Sequence, residues 1–163
     1  MELLEGVLPP DQAEKLRALI AGTPAGLHML HGDFHAKNVM YQNGESLLID
    51  MDTLSCGHPV FELGTMFTSH IASTEVELGN VQRFFGIPRE DMAELWHETM
   101  RLYRGCGGER LRDAEEKAMA VGYARLLRRC LRQGSRVAMV QENIAHCRQR
   151  LAELLPRLDT LEF

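Results

Sequence analysis

The chain has 163 residues, 45% of them apolar and 25% charged, which is the make-up of one globular domain with a core of its own. Its formal net charge of −5 and pI near 5.8 speak against a nucleic-acid binder, because affinity for a phosphate backbone rests on clustered Lys and Arg. A small cationic or hydroxylated substrate suits that balance better. No apolar run approaches the roughly 18 residues of a membrane span, and the opening Met-Glu-Leu-Leu-Glu carries acid where a signal peptide carries base, so a cytoplasmic protein with no membrane partner is expected.

The first expected element is a short amphipathic helix over Pro9 to Ala21, opened by Pro-Pro-Asp, with Leu16, Leu19 and Ile20 at helical spacing, and ended by Gly22-Thr-Pro-Ala-Gly26. A short apolar piece, Leu27 to Leu30, leads into a polar loop, His31 to Asn38. Val39 to Tyr41 and Ser46 to Ile49 read as two strands joined through Asn43-Gly44, a hairpin turn signal. Met51 to Pro59 is then expected to be irregular. Beyond it the pattern is helical: Val60 to Ile71, Thr74 to Phe85, and Arg89 to Arg104 with Met92, Leu95, Trp96, Thr99 and Tyr103 on one face. Gly105-Cys-Gly-Gly108 stops that helix.

Asp113 to Leu131 places Met119, Tyr123, Leu126, Leu127 and Cys130 on one side and Arg125, Arg128, Arg129 and Arg132 on the other, the latter read as a solvated face, with a phosphate or partner contact as the minority reading. Val137, Val140, Ile144, Cys147, Leu151 and Leu154 mark a last long helix that packs in a bundle. Cys56, Cys106, Cys130 and Cys147 form no CxxC pair, which fits reduced thiols, and Cys130 and Cys147 are expected in the core. The expected fold class is α+β, mostly α: a helical bundle with a short β-hairpin.

The chemistry-bearing stretch is His31-Gly32-Asp33-Phe34-His35-Ala36-Lys37-Asn38, followed after the hairpin by Leu48-Ile49-Asp50-Met51-Asp52. A hairpin with a tight turn brings its two ends together, so Asp33, Asn38 and Asp50 can converge. All three offer oxygen, the donor that Mg²⁺ takes, and soft ligands are missing from the stretch.

The pattern H-G-D-x-H-x-x-N, then an apolar strand ending in Ile49-Asp50, resembles the catalytic loop and metal-binding aspartate of kinase-like phosphotransferases, in the aminoglycoside phosphotransferase and choline kinase branch. Gly57-His-Pro-Val-Phe-Glu-Leu63 resembles the segment that follows the metal residue in that branch. The resemblance implies the C-terminal lobe of a protein-kinase-like fold as a single domain over residues 1–163, with a catalytic loop at 31–38, a metal loop at 48–52 and a helical subdomain at 59–155. It further implies transfer of the γ-phosphoryl of ATP or GTP to a hydroxyl of a small molecule such as an aminoglycoside or a choline-like compound.

Carried over residue by residue, Asp33 takes or orients the proton of the attacking hydroxyl, and His31 positions its loop. Asn38 and Asp50 hold Mg²⁺ and through it the nucleotide. His35, Asp52 and Glu62 are supporting residues; Glu62 stands where much of the family has Asp, one methylene shorter. Helices from Val60 onward are expected to line the acceptor site, with Glu75, Glu77, Glu94 and Glu98 as candidates for favouring a cation. His28, His58, His70, His97 and His146 are expected to be surface or packing residues.

The thirty residues before His31 hold one lysine, Lys15, and no Gly-rich strand-turn-strand. The nucleotide-clamping N-terminal lobe is therefore expected to be absent, with little activity in this chain alone, and association with a missing lobe or with a second copy is the partner expectation. Two other readings stand beside the enzyme: a non-catalytic kinase-like interaction module, and a metal-dependent hydrolase using His31, Asp33 and His35 as ligands.

Overall fold

A computed structural model of the protein describes residues 2–105, 107–134 and 138–163. Cys106 and Val137, which the sequence reading places in a helix stop and an apolar stripe, lie outside the described residues. The chain runs through α1 (Glu2–Glu5), α2 (Pro10–Ala21), β1 (His28–Leu30), β2 (Val39–Gln42), β3 (Glu45–Leu48), β4 (Ser55–Gly57), α3 (Pro59–Phe67), α4 (Ser73–Glu75), α5 (Asn80–Phe85), α6 (Arg89–Arg104), α7 (Gly108–Gln133) and α8 (Ala138–Leu154). It is mostly helical with two small antiparallel sheets, which is an α+β composition. No described helix is long and apolar enough to cross a membrane.

The two sheets are nested. The β2–β3 hairpin pairs Val39 with Leu48 and Gln42 with Glu45, and Asn43 (φ 53°) and Gly44 (φ 86°) take the two left-handed positions of a tight hairpin turn. Outside it, β1 pairs with β4 through His28 with Gly57, Met29 with Cys56 and Leu30 with Ser55. The expected irregular stretch Met51 to Pro59 thus contains a strand. Three residues are too short to carry a periodic signal, and only the distant partner β1 makes them one.

The core lies among α3, α6, α7 and α8, closed at one end by α1 and α2. Phe67 of α3 sits between Trp96 of α6 and Tyr123 of α7, with edge-to-face ring centroids 5.3 and 5.1 Å apart. Pro59 opens α3 at a position where its missing N–H costs nothing, and the His58 side chain accepts a hydrogen bond from Val60 N (3.2 Å). Gly64 and Gly122 let α3 and α7 approach closely: a Cβ on Gly122 would stand 2.9 Å from the Gly64 carbonyl oxygen. Ile144, Cys147, Leu151 and Leu154 seat α8 on this core as expected, and Cys130 is buried with them.

Three corrections concern helices. The expected helix Thr74 to Phe85 is broken at Val76–Gly79 and starts again at Asn80, while α3 continues past Phe67 as a π-helical turn over Thr68–Ala72. On α6 the buried stripe is Met92, Trp96 and Met100, at strict four-residue steps, whereas Leu95 and Tyr103 are exposed. Finally, α7 begins at Gly108, five residues ahead of the expected Asp113.

Candidate active site

Between the inner and outer ladders run two facing segments, residues 31–38 and 49–54. Three hydrogen bonds stitch them together: His31 Nε2 donates to Ile49 O (2.8 Å), Ile49 N to Asn38 O (3.0 Å), and Thr53 Oγ1 to His31 O (2.6 Å). The nesting places the loop carrying Asp33 and Asn38 beside the segment carrying Asp50. Asn38 is buried and its Nδ2 donates to Asp33 O (3.0 Å), so its Oδ1 is the atom left over for a ligand. Asp50 is exposed and adopts a left-handed backbone (φ 61°, ψ 57°), a conformation that costs a non-glycine residue on the order of 1 kcal/mol and concentrates at functional sites. Its carboxylate makes no hydrogen bond or ion pair among the described residues. An amide oxygen and a free carboxylate are hard donors, which fit Mg²⁺.

Because a carbonyl can only accept, the bond to Ile49 fixes the proton of His31 on Nε2. Its Nδ1 then accepts from Asp33 N (3.4 Å), and the ring is 3% exposed. Both nitrogens being used by the backbone of Asp33 and Ile49, His31 does not join Asp33 and His35 in a three-ligand set. Among the described residues no group of three His, Cys, Asp or Glu side chains is placed to hold a metal.

Gly32 is held from both sides. Its N–H donates to Glu62 Oε2 of α3 (2.9 Å) and its carbonyl accepts from an Arg125 guanidinium nitrogen of α7 (2.9 Å). Glu62, with its extra methylene, therefore reaches the loop. Gly32 has φ +81°, and a Cβ there would meet Thr53 O at 2.7 Å, so both conformation and space demand glycine. A fourth support comes from His70 in the π-helical turn, whose Nε2 accepts from Ala36 N (3.3 Å). His70 is 1% exposed, and its pKa is pushed down to about 4, chiefly by burial and secondarily by His35.

His35 is packed edge-on against Phe84 and Phe85, with Nε2 3.8 Å from Asp33 Oδ2. The Asp33 side chain is 51% exposed, open to a reactant. Asp52 lies in the turn Met51–Thr53, exposed, with no hydrogen bond or ion pair among the described residues.

From Asp33 and His35 a cavity of about 880 Å³ extends between α3, α5 and α7. Its walls include Thr65, Thr68, Ser69 and Asn80, so helices after Val60 do line it. Arg125, Arg128, Arg129 and Arg132 are exposed, as expected of a solvated face, and also form one side of it. The expected acidic candidates are elsewhere: Glu75 is bonded by Tyr123 Oη (2.7 Å) and paired with His146 (2.8 Å), Glu77 is paired with Arg83 and Glu98 with Arg101. None of these, nor Glu94, lines the cavity.

Two participants escaped the sequence reading. His70 is a single histidine in a helical pattern, and only the π-helical turn sets it against the loop. The role of Arg125 toward Gly32 spans 93 residues of chain and has no local signal.

A family model described as APH, phosphotransferase enzyme family, matches residues 2–106. No significant match was found among curated proteins or among solved structures.

Proposed function

The chain belongs to the phosphotransferase enzyme family, and on that premise we propose that it transfers the γ-phosphoryl group of ATP or GTP to a hydroxyl of a small molecule. The observation that carries this reading is the stitched root of the hairpin, where Asn38 Oδ1 and the unpaired Asp50 carboxylate are left free beside the Asp33 loop. Residues 31–38 then act as catalytic loop and 48–52 as metal loop, on a helical subdomain at 59–155 that corresponds to the C-terminal lobe of a kinase-like fold.

In the reaction the acceptor oxygen forms a bond to the γ-phosphorus while the bond from that phosphorus to the β,γ-bridging oxygen breaks. The nucleoside diphosphate leaves with the electron pair, and the hydroxyl proton passes to the Asp33 carboxylate. Asn38 and Asp50 would hold Mg²⁺, which when bound neutralises charge on the phosphate oxygens. The rest of the loop supplies position. His31 locks the backbone of Asp33 to the metal segment, Glu62 and Arg125 clamp Gly32, and His35 limits where the Asp33 carboxylate can swing.

Calorimetric titration with Mg²⁺–ATP and Mg²⁺–GTP tests the assignment. The expected result is that Asp50→Ala weakens binding about tenfold or more, whereas Asp33→Asn leaves binding intact. Equal binding by the parent and Asp50→Ala, or none by the parent, sinks the reading.

One observation favours a second reading, a module that associates with another copy of itself: the hairpin, β1 and the residue before it expose Leu27 (93%), Met29 (61%) and Tyr41 (77%), with Met40 and Leu47 on the hairpin also exposed. Light scattering separates the two, since a monomer at high concentration removes the association reading.

A further inference from the structure

We propose that the acceptor is an anion: a hydroxylated small molecule bearing a phosphate or carboxylate group, which the arginines of α7 hold while its hydroxyl faces Asp33. This rests on the phosphotransferase reading and deepens it by naming the class of substrate.

Arg125, Arg128, Arg129 and Arg132 stand at i, i+3, i+4 and i+7, which is one stripe along about 10 Å of helix. Like charges at those spacings repel, so such a stripe favours the approach of counter-charge. Five arginines elsewhere have a carboxylate partner, Arg17 with Glu5, Arg83 with Glu77, Arg101 with Glu98, Arg150 with Glu153 and Arg157 with Glu116, and those without one are not gathered along a cavity. Among the described residues, none of the four cavity arginines pairs with a carboxylate. Arg125 is engaged with the Gly32 carbonyl, and the other three guanidiniums have no hydrogen-bond acceptor among the described residues. In a chain of net charge −5, four arginines gathered along one cavity with no carboxylate partner among the described residues are a concentration of positive charge that an anionic ligand can fill.

Shape and position identify what fills it. The stripe lines a concave space of about 880 Å³, where low-dielectric walls focus the field and raise the local concentration of anions. The planar fork of guanidinium matches phosphate and carboxylate oxygens two at a time. Among the described residues Asp33 is the single carboxylate on the cavity wall, and Asn38 and Asp50 do not line it, so the cavity opens on the Asp33 side of the hairpin root and not on the side of the proposed metal pair. The nucleotide phosphates belong with that pair. An anion held by α7 is therefore on the acceptor, and a cationic aminoglycoside or choline-like compound would meet four like charges.

The test is titration of the full chain, without nucleotide or divalent cation, using glycerol 3-phosphate as an anionic alcohol, inorganic phosphate as the bare anion and choline as a cationic alcohol. The parent, Asp50→Ala and the double variant Arg128→Gln with Arg129→Gln are compared; both arginines are exposed, so the fold survives their loss. The expected result is that glycerol 3-phosphate and phosphate bind, that the double variant weakens both about tenfold or more, that binding falls with salt, and that Asp50→Ala changes nothing. Choline binding as tightly as glycerol 3-phosphate, or anion binding indifferent to the two arginines, overturns the proposal. So does anion binding that Asp50→Ala abolishes, because the site is then the nucleotide's. If instead the arginine-dependent binding is found and Mg²⁺–nucleotide binding is not, the basic anion site stands and the phosphotransferase reading is what has failed.

Discussion

Replacing Gly122 by alanine sets two effects of opposite sign against each other. In the middle of a 26-residue helix, alanine gains about 1 kcal/mol over glycine from backbone entropy alone. At this position, however, the new Cβ would lie 2.6 Å from Phe67 Cδ1 and 2.9 Å from Gly64 O, against ordinary contacts that begin near 3.4 Å. The Phe67 ring would have to retreat by about 0.8 Å, and it is 2% exposed with Trp96 and Tyr123 already against it. The Gly64 carbonyl cannot rotate away, so α3 and α7 must separate. Overpacking of this kind costs about 1–3 kcal/mol, and the backbone contact puts this case at the upper end. Packing wins, and Gly122→Ala should lose about 1–2 kcal/mol net. Urea unfolding followed by circular dichroism measures it. Gly79→Ala is the control: that residue has φ −83° and nothing within 4 Å of a built Cβ, so the same change should be neutral or stabilising by a few tenths of a kcal/mol, roughly. A Gly122→Ala protein with a raised midpoint would refute the close contact of α3 and α7.

Other outcomes follow from the loop's supports. Glu62→Ala leaves the Gly32 N–H without its acceptor, at about 1–3 kcal/mol; hydrogen exchange at the Gly32 amide should accelerate while amides of α7 stay protected, and unchanged Gly32 exchange would contradict the brace. His70 is held neutral, with a pKa of about 4 against 6.5 when unfolded, so the unfolded chain binds more protons between those values and stability is lost as pH falls from 6.5 toward 4. The loss from this residue is about 2 kcal/mol by pH 5; His70→Gln should flatten that slope, and a His70 ring that titrates near 6.5 by NMR would show the burial argument to be wrong. Cys147 is buried with its thiol pushed up to about 12, and Cys130 is raised by burial too, whereas Cys56 is exposed. Iodoacetamide should label Cys56 in the native protein and the other two only after denaturation, as read by peptide mass mapping; native labelling of Cys147 would contradict its place in the core.

Local signals made much of this molecule readable. Pro88 and Gly105 bracket α6, and both its ends fall where these residues put them. Asn43-Gly44 announced a hairpin that forms with adjacent register, and the spacing of Asp33, Asn38 and Asp50 around it announced the facing loops. What escaped depends on partners far along the chain. Ser55–Gly57 is a strand only because β1 lies beside it. Met100, rather than Tyr103, completes the buried stripe of α6, because the core presses on a narrow face and not on the wider one that hydrophobicity suggests. The arginine stripe is exposed as its pattern suggests, but that it borders a cleft depends on α3 and α5 standing opposite, and nothing within α7 encodes them.

The most direct test of the proposed site is where a divalent ion settles. Mn²⁺ added in substoichiometric amounts with ATP, followed by amide NMR, should broaden first the resonances of residues 33, 38 and 50 and their neighbours, and should leave the far turns of α8 sharp. Broadening centred on another acidic surface, with Asn38 and Asp50 unaffected, would contradict the assignment of the hairpin root as the phosphotransferase centre.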